Sequence, residues 1–343
     1  MKGVILAAGK GTRMREVSLG LPKILLPFGD RTIGDNIAQG LRDAGAVEIL
    51  LVVGHMEEEV REHFGDGSAL GVRFHYVRQN KQLGTGHAAS LSRDFIGNDP
   101  FVLCYGDIAT PRENLVGLVG DFRRESPEIS MSIFRVQDPS AGAAVYVEDG
   151  YMKRLIEKPP LGSSTTAFDN AGIYVFTPAV FEVLDRVDLS PRNEYELTDV
   201  LTMVAGAGGK VRAYELGGFW SNVSSPEDLL GINKLVIDGL KEQGFPDAPA
   251  SGGRSISSLA IVHPQAVLGR CTVGDYTIVM QGARVRDGAQ VSHAILCRDV
   301  VIGQGAALDY VLVRPAATVA PSVRCSGTRE QVLILPDEMP EKG

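Results

Sequence analysis

Residues 6–27 read LAAGKGTRMREVSLGLPKILLP, an apolar run ending in a glycine-bent turn that carries Arg13 and is followed by Lys23 beside Pro22. Residues 3–8 can form a buried strand. Gly9 and Gly11 let the backbone turn sharply, and the unpaired N–H groups of such a turn become available to an anion. With two cations close by, the stretch reads as a device for holding a polyphosphate.

Two familiar glycine loops fail by counting. A dinucleotide fingerprint requires a third glycine three places after Gly11, where Met14 stands. A Walker loop requires four residues between its glycines and Ser or Thr after its lysine, but Gly3 and Gly9 are separated by five and Gly11 follows Lys10. What the stretch resembles is the opening signature of the sugar-1-phosphate nucleotidylyltransferases, or sugar-nucleotide pyrophosphorylases, in which G-x-G-T-R-[ML] precedes P-K. Gly9, Gly11, Thr12, Arg13, Met14, Pro22 and Lys23 carry the match. The resemblance implies that Leu6, Ala8, Gly9, Gly11 and Thr12 line the nucleotide, with Arg13 on the leaving β,γ-phosphates and Lys23 on the transferring phosphate.

Further segments extend it. QNKQLGTGHA, residues 79–88, resembles the base-reading segment of the family and is closest in text to the N-acetylglucosamine-1-phosphate uridylyltransferases. Gln79 would present its amide to a pyrimidine edge, and Gly84 and Thr85 would let the base approach; His87 reads as a packed or capped histidine. Asp107 follows the apolar run FVLC and Tyr105-Gly106, a natural place for a Mg²⁺ ligand, since this hard cation takes a few protein oxygens plus phosphate. Asn222, in FWSNVSSPEDL, stands where many members carry the second, acidic ligand. EKP resembles the sugar-side motif, with Glu157 accepting from ring hydroxyls and Lys158 meeting the sugar phosphate, and Asn170 and Gly172 match the sugar-pocket strand. Family members place a glycine against the sugar where PSAGAAV has Ala143, with Gly142 one place early.

The 44% apolar and 22% charged composition is that of a soluble globular protein, and no run approaches the ~18 apolar residues of a membrane helix. A net charge of −8 argues against a general nucleic-acid binder, which concentrates Lys and Arg. The N-terminal apolar run is too short for a secretory signal, so a cytoplasmic location is expected. Cys104, Cys271, Cys297 and Cys325 show no metal or redox spacing and read as reduced packing residues.

Along residues 1–135 short apolar runs alternate with helical patterns, such as Ile33, Ile37 and Leu41. This predicts an α/β, doubly wound, mostly parallel Rossmann-like sheet, whose ligand sits at the carboxyl ends of its strands. Strands become more frequent over 129–220, and a helix from Ser225 to about 241 closes a nucleotidyltransferase domain of residues 1–243. A linker follows over 244–260. Ile261, Val267, Val273, Val279, Val285 and Val291 then recur every six residues, the mark of a short left-handed parallel β-helix over 261–325 with a tail over 326–343. The register breaks near 294–301, predicting a loop before Ile302 and Leu308 resume it. The short helix predicts a homo-oligomer.

The expected reaction joins an NTP, UTP or dTTP favoured, to a sugar 1-phosphate with Mg²⁺, releasing pyrophosphate; no nucleic-acid or membrane partner is expected. GTP and a cyclitol phosphate are the alternative substrates. Two other classes are acyl transfer by the β-helix, for which His263 and His293 are the available bases, and a non-catalytic regulatory subunit.

Overall fold

The computed structural model describes residues 1–9 and 19–340, so Gly11, Thr12 and Arg13 lie outside the described residues. The described chain forms two compact units. One holds residues 1–9, Pro22–Ile24 and Ile33–Asn222; the other holds residues 19–21, Leu25–Thr32 and 223–340.

The first unit is built on nine strands: β1 Lys2–Ala7, β2 Glu48–Val53, β3 Arg73–Arg78, β4 Phe101–Tyr105, β5 Ile129–Arg135, β6 Ala143–Glu148, β7 Tyr151–Glu157, β8 Phe168–Phe176 and β9 Val211–Glu215. Their order is β3-β2-β1-β4-β8-β5-β9-β7-β6. β1 lies parallel between β2 and β4, with Val4 opposite both Leu50 and Leu103. Val4, Ile5, Ile49, Leu51, Val52, Val102 and Leu103 are fully buried. Strands covered on both faces read as unbroken apolar runs, which is why the sequence announces them. Helices Ile33–Asp43 and Glu57–Phe64 supply the crossovers that the parallel neighbours β1–β2 and β2–β3 require.

The other half of the sheet departs from the mostly parallel expectation. β8 runs antiparallel to β4 and to β5, and β7 runs antiparallel to β6 and β9. Strand direction is set by the connection, and between β6 and β7 the connection is a hairpin. Asp149 and Gly150 join β6 to β7 with φ of 53° and 80°, both central residues left-handed, as Asp-Gly in a two-residue turn allows. β8 also carries an irregularity between Asn170 and Tyr174, where Gly172 has φ 76° and the Ile173 N–H, displaced from the ladder, donates to buried Ser132 Oγ at 3.0 Å.

In the second unit the helix Pro226–Glu242 starts at Ser225, whose hydroxyl accepts from the Asp228 N–H at 3.0 Å, and Pro226 occupies the first helical position. Asn233, 1% exposed, donates to Pro27 O at 2.8 Å and accepts from the Gly29 N–H at 2.7 Å, holding the strand Pro27–Phe28 to this helix.

Beyond it, short strands pair in parallel at steps of 17 or 18 residues, lengthening to 22 and 20 at the last pairings, Val311 with Leu333 and Thr318 with Glu338. Ile261 faces Ile278, which faces Ile295; Thr272 faces Gln290, which faces Ala307. Val273, Val279, Val285 and Val291 are buried as the six-residue repeat predicts, but Val267 is 59% exposed. Leu268 takes the buried place, in register with Val285, Ile302 and Val319. At the predicted break only a turn, residues 297–300, separates the strands. Gln290–Leu296 is one strand paired residue for residue with Ala307–Val313, and a 17-residue step, one short of three sixes, accounts for the lost phase. Pairing also reaches past both expected limits, through Ser255–Ile256 and through Leu333–Leu335.

The carboxyl edge of β1 is closed by two glycines. A Cβ on Gly54 would lie 2.7 Å from Ala8 O, and one on Gly106 would lie 2.9 Å from Leu6 O. Because the clashing atom is backbone in both cases, Gly54→Ala is expected to cost about 1–3 kcal/mol and to lower the midpoint of thermal unfolding by several degrees. A wild-type melting curve would show that the edge is looser than described.

Candidate active site

Leu6, Ala8 and Gly9 end β1 at the centre of this edge, and Gln82 Nε2 donates to Ala8 O at 2.7 Å. One strand away, Asp107 follows β4 and accepts from Lys23 Nζ at 2.9 Å, each side chain about one-quarter exposed. Lys23 begins a short 3₁₀ turn, Lys23–Leu25. Asn222 is brought to Asp107 by a two-stranded ribbon in which Asn222 faces Ile108 and Ser221 faces Ala109. Lys23, Asp107 and Asn222, separated widely in sequence, thus share one corner.

A carboxylate and an amide oxygen are the hard donors a divalent cation accepts, and their number leaves most of its coordination to phosphate and water. The donor set fits such an ion with a single formal negative charge, which Lys23 matches. Among the described residues no group of three or more His, Cys, Asp or Glu forms a self-sufficient metal cage.

Gln79 is 6% exposed at the end of β3, its N–H donating to Val53 O at 2.8 Å. Its side-chain Nε2 lies 3.1 Å from Gly84 O and 2.9 Å from His87 Nδ1. With the His87 ring accepting at Nδ1, both amide hydrogens are engaged within the protein. His87 is the partner that orients Gln79, with burial lowering its pKa and favouring the neutral ring that accepts this bond. Gly84, at φ 97°, owes its lack of a side chain to Tyr195, whose carbonyl a Cβ would approach to 2.6 Å. Thr85 Oγ1 accepts from the Leu197 N–H at 3.0 Å.

Glu157, ending β7, lies 3.3 Å from Arg192 Nη2, and the same guanidinium reaches Glu196 Oε1 at 2.9 Å. Burial raises the Glu157 pKa, and Arg192 opposes that shift. Lys158 follows with φ 45°, its N–H donating to Gly142 O at 2.8 Å. Arg192 escaped the sequence reading. Its only local signal was Glu196 four residues on, which reads equally well as a helix-surface pair.

The segments that carry Thr85 and Asn170 are joined by hydroxyls. Asn170 Nδ2 donates to Tyr174 OH at 2.6 Å, Tyr174 OH lies 3.3 Å from Tyr105 OH, and Tyr105 bonds Thr85. Burial pushes Tyr105 up to about 12, so it stays a protonated donor. Trp220 Nε1 donates to Ala171 O at 2.9 Å, tying the segment before Asn222 to the irregular part of β8.

Gly142 has a structural explanation. A Cβ there would run into the carboxylate of Asp169, which is 5% exposed and accepts from the Ala143 N–H at 2.7 Å. Burial is the main reason Asp169 rises from 3.8 to about 6, with the nearby Glu157 charge adding to it. The folded chain therefore holds a proton there that the unfolded chain has released. Stability at this site is full below about pH 4 and falls as pH rises through about 6, each tenfold difference in proton affinity being worth about 1.4 kcal/mol. Relative to Asp169→Asn, wild-type stability should decline between these pH values and then run parallel, as urea unfolding across that range will measure; a constant difference throughout would refute it.

Residues 2–239 match the nucleotidyl transferase family model. The low-salt glycan biosynthesis nucleotidyltransferase Agl11 of Haloferax volcanii is 35% identical over 248 residues, covering 71% of this chain and 69% of that protein. A glucose-1-phosphate thymidylyltransferase of Streptomyces griseus is 29% identical over 325 residues, 93% of this chain and 89% of that one. The crystal structure of a UDP-glucose pyrophosphorylase complexed with UDP-glucose shares the fold, with a TM-score of 0.62 at 23% identity over 70% of this chain and 98% of its own. With a corner of Lys23, Asp107 and Asn222 at the carboxyl edge of its sheet, this chain belongs to the nucleotidyl transferase family.

Proposed function

We propose that this chain transfers a nucleotidyl group from an NTP, UTP or dTTP favoured, to a sugar 1-phosphate, giving an NDP-sugar and pyrophosphate. The observation that carries the reading is the Lys23–Asp107 pair beside Asn222, in the same unit as the Glu157–Lys158 edge. One edge can then hold two phosphates on one side and a polyhydroxylated group on the other.

A phosphate oxygen of the sugar 1-phosphate attacks the α-phosphorus in line. The new P–O bond forms as the α–β bridging bond breaks, and that electron pair leaves on pyrophosphate. No base is needed, because a phosphate monoester with second pKa near ~6 is already mostly dianionic at neutral pH. The work is to hold two anions together and to neutralise the crowded α-phosphate. Lys23 meets the transferring phosphate, Arg13 the leaving β,γ-phosphates, and Lys158 the attacking phosphate. Asp107 and Asn222 would hold a divalent cation, Mg²⁺, which supplies charge neutralisation across the phosphates. Glu157, steadied by Arg192, accepts from ring hydroxyls, and Asn170 presents its amide to the same ring, with Gly142 shaping the loop opposite.

An acceptor at Gln79 Oε1 suits the N3–H of uracil and thymine and mismatches cytosine and adenine, whose corresponding ring nitrogens carry no proton. It also suits the N1–H of guanine, and on that ground GTP is the second reading. A cytoplasmic location agrees with fully buried Cys104 and Cys297, the latter pushed up to about 12 by burial. No described helix is long and apolar enough to cross a membrane.

We also read the C-terminal strands as a left-handed parallel β-helix. It would follow a catalytic domain of residues 1–243 and mediate homo-oligomer formation. Acyl transfer has less support: His263 Nδ1 accepts from the Gln265 N–H within its own turn, and His293 pairs with Asp309 and stacks on Tyr310.

Pyrophosphate release across a matrix of NTPs and sugar 1-phosphates with Mg²⁺ tests the proposal. Release confined to one uridine, thymidine or guanosine row is expected, and release only with ATP or CTP would overturn the base reading. Arg13→Ala and Lys23→Ala should each reduce turnover by orders of magnitude with an unchanged unfolding midpoint.

A further inference from the structure

The ribbon that sets Asn222 beside Asp107 has two residue pairs, Asn222 with Ile108 and Ser221 with Ala109. A two-stranded pairing of that length has little stability of its own. What flanks it is a set of buried polar side chains: Thr110 is 1% exposed, Asn36 5% and Asn114 6%.

Asn114 grips the peptide of Gly217 from both sides. Its Nδ2 donates to Gly217 O at 2.9 Å and its Oδ1 accepts from Gly217 N–H at 2.9 Å, as a strand neighbour would. The same Nδ2 donates to Thr110 Oγ1 at 2.8 Å, and Thr110 Oγ1 donates to Phe219 O at 2.9 Å. Asn36 secures the other end by donating to Thr110 O at 2.8 Å. The strand leaving Asp107 and the strand arriving at Asn222 are therefore joined by side chains where backbone pairing stops. Gly218, at φ 70°, makes the turn that lets 217 and 219 both face this cluster.

We propose that Thr110 and Asn114 are positioning residues for the divalent-cation site: their hydrogen bonds fix the distance between Asp107 and Asn222 and thereby the affinity for the ion. This rests on Asp107 and Asn222 being the ligands. Neither residue touches the ion. A ligand pair splayed by a fraction of an ångström loses affinity, because pre-organisation of the ligands is lost before any ligand is.

The test is Mn²⁺ binding to the full chain in the presence of NTP, read by electron paramagnetic resonance, beside the Mg²⁺ dependence of pyrophosphate release. Thr110→Val keeps the volume and removes the hydroxyl, and should weaken Mn²⁺ binding about three- to tenfold and raise the half-saturating Mg²⁺ by the same factor. The KM for NTP at saturating Mg²⁺ should not change. Thr110→Ser, which keeps the hydroxyl, should restore wild-type Mn²⁺ affinity, and Asn114→Ala should weaken it more than Thr110→Val. A Thr110→Val protein with a lower melting temperature but unaltered Mn²⁺ affinity would overturn the proposal, leaving these residues a purely structural role. Asp107→Asn separates the two levels. If it weakens Mn²⁺ binding while Thr110→Val does not, the positioning role alone is wrong; if it leaves Mn²⁺ binding unchanged, the ligand assignment fails and this proposal with it.

Discussion

Everything at the candidate active site depends on how closely three parallel strands approach at one edge. β1 is clasped between β2 and β4, and past its end Gly54 and Gly106 press on the carbonyls of Ala8 and Leu6 at distances that exclude any side chain. The chain can then leave three strands at nearly the same height. Gln79, Ala8 and Asp107 follow the carboxyl ends of the parallel strands β3, β1 and β4. Parallel strands supply such an edge because their exits all lie at one end, whereas antiparallel neighbours alternate entry and exit.

The antiparallel half of the sheet serves a different need. Glu157 ends β7, Asn170 stands where β8 leaves its register with β5, and Arg192 reaches Glu157 from the loop beyond. A hydroxyl chain from Asn170 through Tyr174 and Tyr105 to Thr85 ties β8 to the segment after β3 through shared hydrogen bonds. Each of those bonds is modest alone, yet breaking one leaves a buried partner unmatched, and that asymmetry keeps the cleft in a single arrangement.

Charge at the site is spare. A chain of net charge −8 places one carboxylate at the proposed metal corner, balances it with Lys23, and completes the corner with the neutral amide of Asn222. Such a corner has little excess negative charge with which to hold a divalent ion, so the phosphates must bring most of it. On that proposal geometry matters more than charge, and the buried amide and hydroxyl behind the ribbon hold the ribbon in place.

The residues by themselves determined several elements and the reaction class: apolar runs marked β1, β2 and β4, Ser225-Pro226 marked a helix start, and motifs resembling the nucleotidylyltransferases pointed to nucleotidyl transfer. These are local or motif signals, carried by side-chain type and spacing. What only the tertiary structure decided were pairings across distance. Asp107 with Lys23, Glu157 with Arg192, and Gln79 with His87 each depend on which surfaces meet, and the hydrogen-bonding capacity of a residue does not name its partner. The antiparallel pairing of β6 with β7 followed from the Asp149-Gly150 turn, a signal present in the sequence but weaker than the apolar periodicity around it. Likewise the six-residue count put Val267 inside, and the stacked strands put Leu268 there, because parallel pairing aligns side chains at the actual 17-residue step between coils and a count along one chain cannot see its neighbour.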